Sequence, residues 1–168
     1  MTTNVTELLE SRGVLLQDIA EIVHLLQLPY CPGLTAELCQ EAVKSVLRKR
    51  EVQYTVMTGI ALDVLAEKKL LPGDLQQIVE SDEPLYGMDE VLAFGITNMY
   101  GTIGITSFGY LDKQKIGVIG KLNDNKQNQV NTFLDDIIAG IAAAASARIA
   151  HKMAGKPTSK PTSKPTSW

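Results

Sequence analysis

The feature of this sequence that most constrains its fold is the segment FLDDIIAGIAAAASARIAHK at positions 133–152, where an acidic pair precedes a long apolar run. Isoleucine, alanine and glycine occupy every side of a helix built from this run, and a helix that is apolar all round is buried all round. We therefore expect a helix from about Thr132 to Lys152 in the centre of the protein, surrounded by other helices.

The rest of the chain also has the apolar spacing of helices. Thr35, Asp74 and the Pro72-Gly73 pair predict where some of them begin or end. No segment alternates convincingly with period two, and the β-branched run at Gly101–Thr106 is the one strand candidate. The sequence predicts an all-α fold, a compact single-domain multi-helix bundle with a central apolar helix. Besides the central helix, we expect helices over about residues 7–11, 17–26, 36–47, 52–70 and 75–79, and another that opens at Asp89-Glu90.

Composition and charge limit the possible classes of function. The chain has 168 residues, of which 45% are hydrophobic and only 5% aromatic, and its formal net charge is −3. The length suggests one domain, and the acidic balance argues against a nucleic-acid partner, which requires a basic face. We expect this domain to cover residues 1–155. Residues 156–168 repeat KPTS three times before a tryptophan, a low-complexity pattern that predicts a disordered or extended tail.

Three further features bear on location. Cys31 and Cys39 have no partners at zinc-ligand spacing, so we interpret them as small buried side chains in a reducing compartment. The first residues lack the pattern of a secretory signal, and we expect a cytoplasmic protein. Val91–Leu111 carries no formal charge over 21 residues, which is long enough to span a bilayer. Its glycine and hydroxyl content instead favours two core helices broken near Gly101, with at most peripheral membrane contact.

Two acidic pairs, Asp89-Glu90 and Asp135-Asp136, are the strongest candidates for chemistry. Each precedes a strongly apolar helix, and each alone has an ordinary explanation, because carboxylates at a helix start offset its dipole for about 0.3–1 kcal/mol. Both helices must pack centrally, however, so the four carboxylates converge. At about 5 Å and an effective dielectric constant near 20, each like-charge pair costs about 3 kcal/mol. Such a cluster requires a cation, protonation or basic neighbours, and hard oxygen ligands favour Mg²⁺.

A third element lies between the pairs in the sequence. The segment YLDKQK at positions 110–115 can add Asp112 as a ligand, and Lys115 can meet a phosphate oxygen one turn later. A surface ion pair between these two residues is an equally plausible interpretation. The common phosphate-binding loop is missing, since GVIGKL at positions 117–122 has the wrong spacing and no hydroxyl.

The segments YGMDEVLAFG, YLDKQK and FLDDIIAGIAAA, in this order, resemble the phosphatidylglycerophosphatase A family. The resemblance covers about residues 52–153, and DDIIAG is its most specific match. Membrane members of that family carry PGTxGS before the DE element, whereas GTIG follows it here, and Ile116 replaces the family's proline. The chain looks like the short soluble branch from low-GC Gram-positive bacteria. The positions that match the family's polar residues are Asp89, Glu90, Asp112, Lys115, Asp135 and Asp136.

The resemblance implies Mg²⁺-dependent removal of phosphate from phosphatidylglycerophosphate to give phosphatidylglycerol. The expected metal ligands are Asp89, Glu90, Asp112, Asp135 and Asp136, and the expected catalytic residues are Asp112, Lys115 and Asp135.

Two alternatives stay open. In the first, a non-enzymatic helical module binds a phosphorylated ligand or a partner protein through an inherited acidic site. In the second, the acids are only helix caps. The expected partner is therefore a phosphorylated small molecule or a lipid headgroup. The small residues of Ala139–Ala147 permit close helix packing within one chain or between chains, so a homo-oligomer is possible.

Overall fold

The computed structural model describes residues 4–125 and 127–155, and this part of the chain is α-helical without a β-strand. The all-α prediction is confirmed. The KPTS repeat at 156–168, for which we expected a disordered or extended tail, lies outside the described residues. The helices are α1 (Val5–Ser11), α2 (Leu16–Gln27), α3 (Ala36–Leu47), α4 (Arg50–Glu67), α5 (Leu75–Ser81), α6 (Met88–Thr97), α7 (Gly101–Gln114), α8 (Val118–Asp124) and α9 (Leu134–Ala154).

Helix α9 is the centre of the bundle, as its sequence predicts. It contacts α2, α3, α4, α6, α7 and α8, and each residue of 134–147 is buried. Three isoleucines in this stretch are fully buried, and each stabilises the fold by about 1.5–3 kcal/mol. The central helix therefore fixes where α6 and α7 lie, and with them the acidic residues that they carry.

Small residues in α9 let the neighbouring helices approach closely. A Cβ atom placed on Gly140 would lie 3.0 Å from the carbonyl oxygen of Ala93 in α6. A Cβ atom on Gly59 of α4 would collide with the side chain of Ile137 in α9. Gly140 thus lets the backbone of α6 lie directly against α9, and Gly59 of α4 leaves room for the side chain of Ile137. The small residues after the acidic pair of α9 contribute directly to the position of α6.

The apolar segment between the acidic pairs consists of two helices, as expected. Helix α6 ends at Thr97, a 3₁₀ turn covers Asn98–Tyr100, and α7 begins at Gly101. The φ angle of Gly101 is 73°, a value that glycine adopts without strain. The stretch Met88–Gln114 is long and apolar enough to cross a membrane by length and composition, and 33% of its most apolar window is buried. Helices of this composition also occur in protein cores.

Several local predictions are wrong or incomplete. The strand candidate at Gly101–Thr106 is the start of α7, because packing against α9 outweighs the local preference of its β-branched residues. Helix α8 was not predicted from the sequence. Thr35 caps α3 through its side chain as expected. Asp74 precedes α5 but its side chain makes no capping hydrogen bond.

The close approach at Gly140 can be tested by adding one methyl group. We expect Gly140→Ala to lower the free energy of unfolding by about 1–3 kcal/mol, because the methyl group forces the backbone of α6 away from α9. Gly109 is the matched control, since it lies within α7 with no atom near the position of a Cβ. Gly109→Ala should raise stability by about 0.5–1 kcal/mol. Equal effects of the two changes in thermal unfolding would contradict this account of the packing.

Candidate metal centre

Three helix ends meet at one end of the bundle. The acidic pair Asp89-Glu90 lies in the first turn of α6, and Asp135-Asp136 lies in the first turn of α9. Helix α7 ends at the same place, where it brings Asp112 in its last turn and Lys115 directly after it. Both α6 and α7 pack along α9, so the bundle itself brings the three elements together.

The ammonium group of Lys115 is bound by three carboxylates. Its Nζ atom donates to Asp112 Oδ1 at 2.9 Å, to Asp135 Oδ2 at 3.0 Å and to Asp136 Oδ1 at 3.3 Å. The side chains of Asp135 and Asp136 are 6% and 4% exposed, so these contacts are largely shielded from water. Lys115 therefore supplies the basic neighbour that a buried acidic cluster requires.

A second set of acids lies beside the ammonium group. One carboxylate oxygen each from Asp89, Glu90 and Asp136 lies within 4.8 Å of the others, close enough for the three to ligate one ion. Asp89 Oδ1 and Glu90 Oε2 are buried and have no hydrogen-bond partner among the described residues. Buried carboxylate oxygens without a partner are unfavourable. This acidic trio is therefore the part of the site that fits a cation.

Burial raises the pKa of each buried aspartate in the centre. Desolvation, together with the neighbouring Glu90, raises the pKa of Asp89 to about 7. Desolvation raises the pKa of Asp136 to about 9, and the charge of Asp135 adds to this effect. The pKa of Asp135 rises only to about 6, since Lys115 partly offsets its desolvation. The protein thus holds these carboxyls in an environment that resists their full ionisation without further positive charge.

Lys115 itself is held charged. Partial burial lowers its pKa, but the charge of Asp135 and the hydrogen bond to Asp112 outweigh this effect and leave the pKa above its ordinary value. The residue adopts a left-handed backbone conformation, with φ 48° and ψ 47°, as the cap of α7. Because this conformation costs a non-glycine residue about 1–2 kcal/mol, the contacts of the ammonium group must offset local strain.

Asp63 supports the start of α9 and was missed in the sequence. This residue of α4 is fully buried, and its carboxylate accepts hydrogen bonds from the backbone amides of Phe133 at 3.1 Å and Leu134 at 3.0 Å. Such amides at a helix start have no partner within the helix. Desolvation raises the pKa of Asp63 to about 8, although both amides favour its ionised form. In the sequence, Asp63 can be recognised as a single acidic residue on the apolar face of α4.

An ion pair between the residue that follows α1 and the last residue of α4 holds the segment that leads into α9. Arg12 pairs with Glu67, and the same guanidinium group donates to the carbonyl oxygen of Val130 at 2.8 Å and to Asn131 Oδ1 at 3.2 Å. Glu67 in turn accepts a hydrogen bond from the Val130 amide at 2.9 Å. No local pattern could reveal this network, because its partners are separated by more than fifty positions.

The structure brings all six sequence-predicted residues to one place, but in two groups. Asp89, Glu90 and Asp136 form the acidic trio, and Asp112 and Asp135 contact the ammonium group of Lys115. Asp136 belongs to both groups. Helix capping alone does not explain this arrangement, since carboxylates from three different helices converge. The metal and catalytic roles of the individual residues remain predictions.

Comparison with known proteins identifies the family. The family model for phosphatidylglycerophosphatase A matches residues 19–151. The chain belongs to this family. The match includes all six residues of the site, together with Asp63 and Glu67 beneath it.

Similar proteins come from Bacillus and Listeria. This chain is 56% identical to the uncharacterized protein YpjQ of Bacillus subtilis over 139 residues, which cover 83% of this chain and 78% of that protein. It is 54% identical to the uncharacterized protein YutG of the same organism over 137 residues, or 82% of each. The crystal structure of the low temperature requirement C protein from Listeria monocytogenes superimposes with a TM-score of 0.87 at 53% identity, and covers 89% of this chain and 94% of that one.

The raised carboxyl pKa values predict how stability depends on pH in this phosphatidylglycerophosphatase A-family protein. A carboxyl whose pKa is higher in the folded state stabilises the fold below its ordinary pKa of about 4, and this contribution is lost as pH rises through the folded value. With EDTA present, we expect the melting temperature to fall between about pH 5 and pH 9, as the buried carboxyls of Asp63, Asp89, Asp135 and Asp136 ionise.

The loss of stability between pH 5 and pH 9 should be on the order of a few kcal/mol, and Asp136→Asn should make this loss smaller. Asp74→Asn, a change at an exposed acid next to α5, is the control and should leave the profile unchanged. A wild-type profile without this decline would show that the centre does not resist ionisation.

Proposed function

We propose that this protein is a Mg²⁺-dependent phosphatase that hydrolyses a phosphomonoester. The main support for the proposal is that an acidic trio and an ammonium group lie side by side at one site. The acidic trio contains two buried carboxylate oxygens that have no partner within residues 4–125 and 127–155, and an ammonium group lies beside it. Membership of the phosphatidylglycerophosphatase A family supports the same chemistry.

The donor set of the trio fits Mg²⁺. All three ligands are hard carboxylate oxygens, and no sulfur or imidazole belongs to the group. Asp89, Glu90 and Asp136 would hold the ion, and the charge would satisfy the unpartnered oxygens of the first two residues. When bound, such an ion polarises a phosphoryl oxygen and lowers the pKa of a bound water.

The remaining residues of the site would bind and orient the phosphate. Lys115 can donate to a phosphate oxygen as a flexible point charge while it keeps a bond to Asp135, and it balances charge that develops on the phosphoryl group. Asp112 has a side chain that is 34% exposed, the most accessible among the carboxylates bound to Lys115. It is therefore the residue we assign to accept a proton from the attacking water. Asp135 holds the ammonium group in position from beneath.

The substrate that the family name suggests is phosphatidylglycerophosphate, with phosphatidylglycerol as the product. A terminal phosphomonoester on a lipid headgroup offers three oxygens that Lys115 and a bound ion can contact together. This assignment of the substrate rests on the family and on the chemistry of the site.

A second candidate is a module that binds a phosphorylated ligand without hydrolysing it. One observation favours this second candidate. Lys115 already offsets part of the negative charge of the acidic centre through its contacts with three carboxylates. Binding of Mg²⁺ and phosphate without turnover would support this function. The two candidates share a site and differ only in whether phosphate is released.

Phosphate release separates the candidates. With phosphatidylglycerophosphate in detergent micelles and Mg²⁺, we expect wild type to release phosphate and EDTA to abolish the release. Asp136→Asn and Lys115→Gln should lower the rate by more than the roughly 10–100-fold that loss of a supporting residue around a metal costs. Asp74→Asn is the control and should match wild type. Release that is equal in wild type and Asp136→Asn would exclude the acidic trio from the mechanism.

A further inference from the structure

A second surface is formed by the end of α9 opposite to the acidic centre, together with α2, α3 and α7. Two adjoining grooves meet there and share Cys31 and Met153 as lining residues. The last turns of α9 contribute Ile149 and Met153 to this surface. Ile149 follows Asp136 by thirteen helical positions, or about 20 Å along the axis. The basic groove, which Ile149 lines, is therefore separate from the residues assigned to phosphate chemistry, whereas the apolar groove extends along α7 as far as Tyr110, two residues before Asp112.

The larger groove is apolar. Its volume is about 770 Å³, within the range of small-molecule sites. It lies between α2, α7 and the end of α9, and it collects large apolar side chains that are exposed in this protein. These are Leu25, Tyr30, Ile103, Tyr110 and Met153, which are 39–79% exposed. Apolar side chains gathered around one concave surface indicate a binding site more strongly than scattered ones do.

The smaller groove, of about 360 Å³, is basic. Arg48, Arg148 and Lys152 line it together with the hydroxyl-bearing Ser45, and Glu41 is its one acidic lining residue. Glu41 is already paired with Lys44 at 2.9 Å and with Arg48 at 3.5 Å. The groove thus carries an excess of positive charge in a chain whose net charge is −3.

Two of these cations have no partner in the described part of the chain. Neither Arg148 nor Lys152 makes an ion pair or side-chain hydrogen bond there, and the Nε atom of Arg148 is buried without an acceptor. A shielded guanidinium donor without an acceptor is unfavourable, and an anion in the groove would satisfy it. Charge complementarity therefore identifies the kind of head group that this end accepts.

We propose that the joined grooves bind a single-chain anionic amphiphile, with its alkyl chain in the apolar groove and its carboxylate or phosphate head at Arg148 and Lys152. An alkyl chain suits walls made of α-helices, because their backbone groups are bonded within the helices and offer an extended peptide no partners. This inference goes beyond the proposed phosphatase activity and does not depend on it.

Calorimetric titration of the full chain with EDTA present tests the proposal. The probes are dodecyl phosphate, dodecanoate, dodecyl maltoside and inorganic phosphate, each amphiphile below its micelle concentration. We expect both anionic amphiphiles to bind at least about tenfold more tightly than dodecyl maltoside or inorganic phosphate. Equal binding of dodecyl maltoside would overturn the assigned head-group site, and absence of binding by both anionic amphiphiles would overturn the proposal as a whole.

Variants locate the site. Arg148→Gln and Lys152→Gln should each weaken dodecanoate binding by about tenfold; Lys152 is exposed, so its change should not affect folding. Arg50→Gln removes an exposed arginine outside both grooves and should bind as wild type does. Weaker dodecyl phosphate binding in Lys115→Gln but not in Lys152→Gln would place the head group at the acidic centre and contradict the proposal.

Discussion

Two carboxylates are buried at the start of the helix on which the bundle is built, and the ammonium group of Lys115 offsets part of their charge. The side chains of Asp135 and Asp136 are only 6% and 4% exposed, a position in which an isolated ionised group is very costly. The contacts of Lys115 at 3.0 and 3.3 Å make this burial possible. They also join the end of α7 to the start of α9, so this interaction belongs to both the fold and the site.

The surrounding structure holds these charges in place. Asp63 binds two backbone amides immediately before Asp135, and Arg12 and Glu67 hold the segment that precedes them. Asp63 and Glu67 both belong to α4 and lie one turn apart on that helix. A rigid base of this kind limits the movement of the carboxylates, which is what a metal or phosphate site requires. Residues from several helices thus help to stabilise the buried charges.

The sequence predicted the parts of the molecule that depend on local pattern. The burial of α9 followed from a helix without a polar side, and the convergence of Asp89-Glu90 with Asp135-Asp136 followed from the need of two apolar helices to pack centrally. Like-charge repulsion correctly predicted that a basic neighbour, protonation or a cation is required, and Lys115 is that basic neighbour. The division into two groups could not be predicted, because it depends on side-chain positions at the end of α7.

The missed features have physical reasons as well. The Gly101–Thr106 run has β-branched residues, but contacts with α9 stabilise it as a helix. Arg12, Glu67 and Val130 are distant in sequence, so no spacing rule connects them. Arg148, which has no side-chain partner among the residues that the structure describes, could not be distinguished in the sequence from any other arginine near a helix end.

We propose that Asp89, Glu90 and Asp136 hold one divalent ion beside Lys115. Anomalous diffraction from crystals soaked in Mn²⁺, an ion that shares the oxygen preference of Mg²⁺, would locate this ion. We expect an anomalous peak at about 2–2.3 Å from one carboxylate oxygen of each of the three residues. A well-occupied peak elsewhere in the protein, with none between these carboxylates, would contradict it.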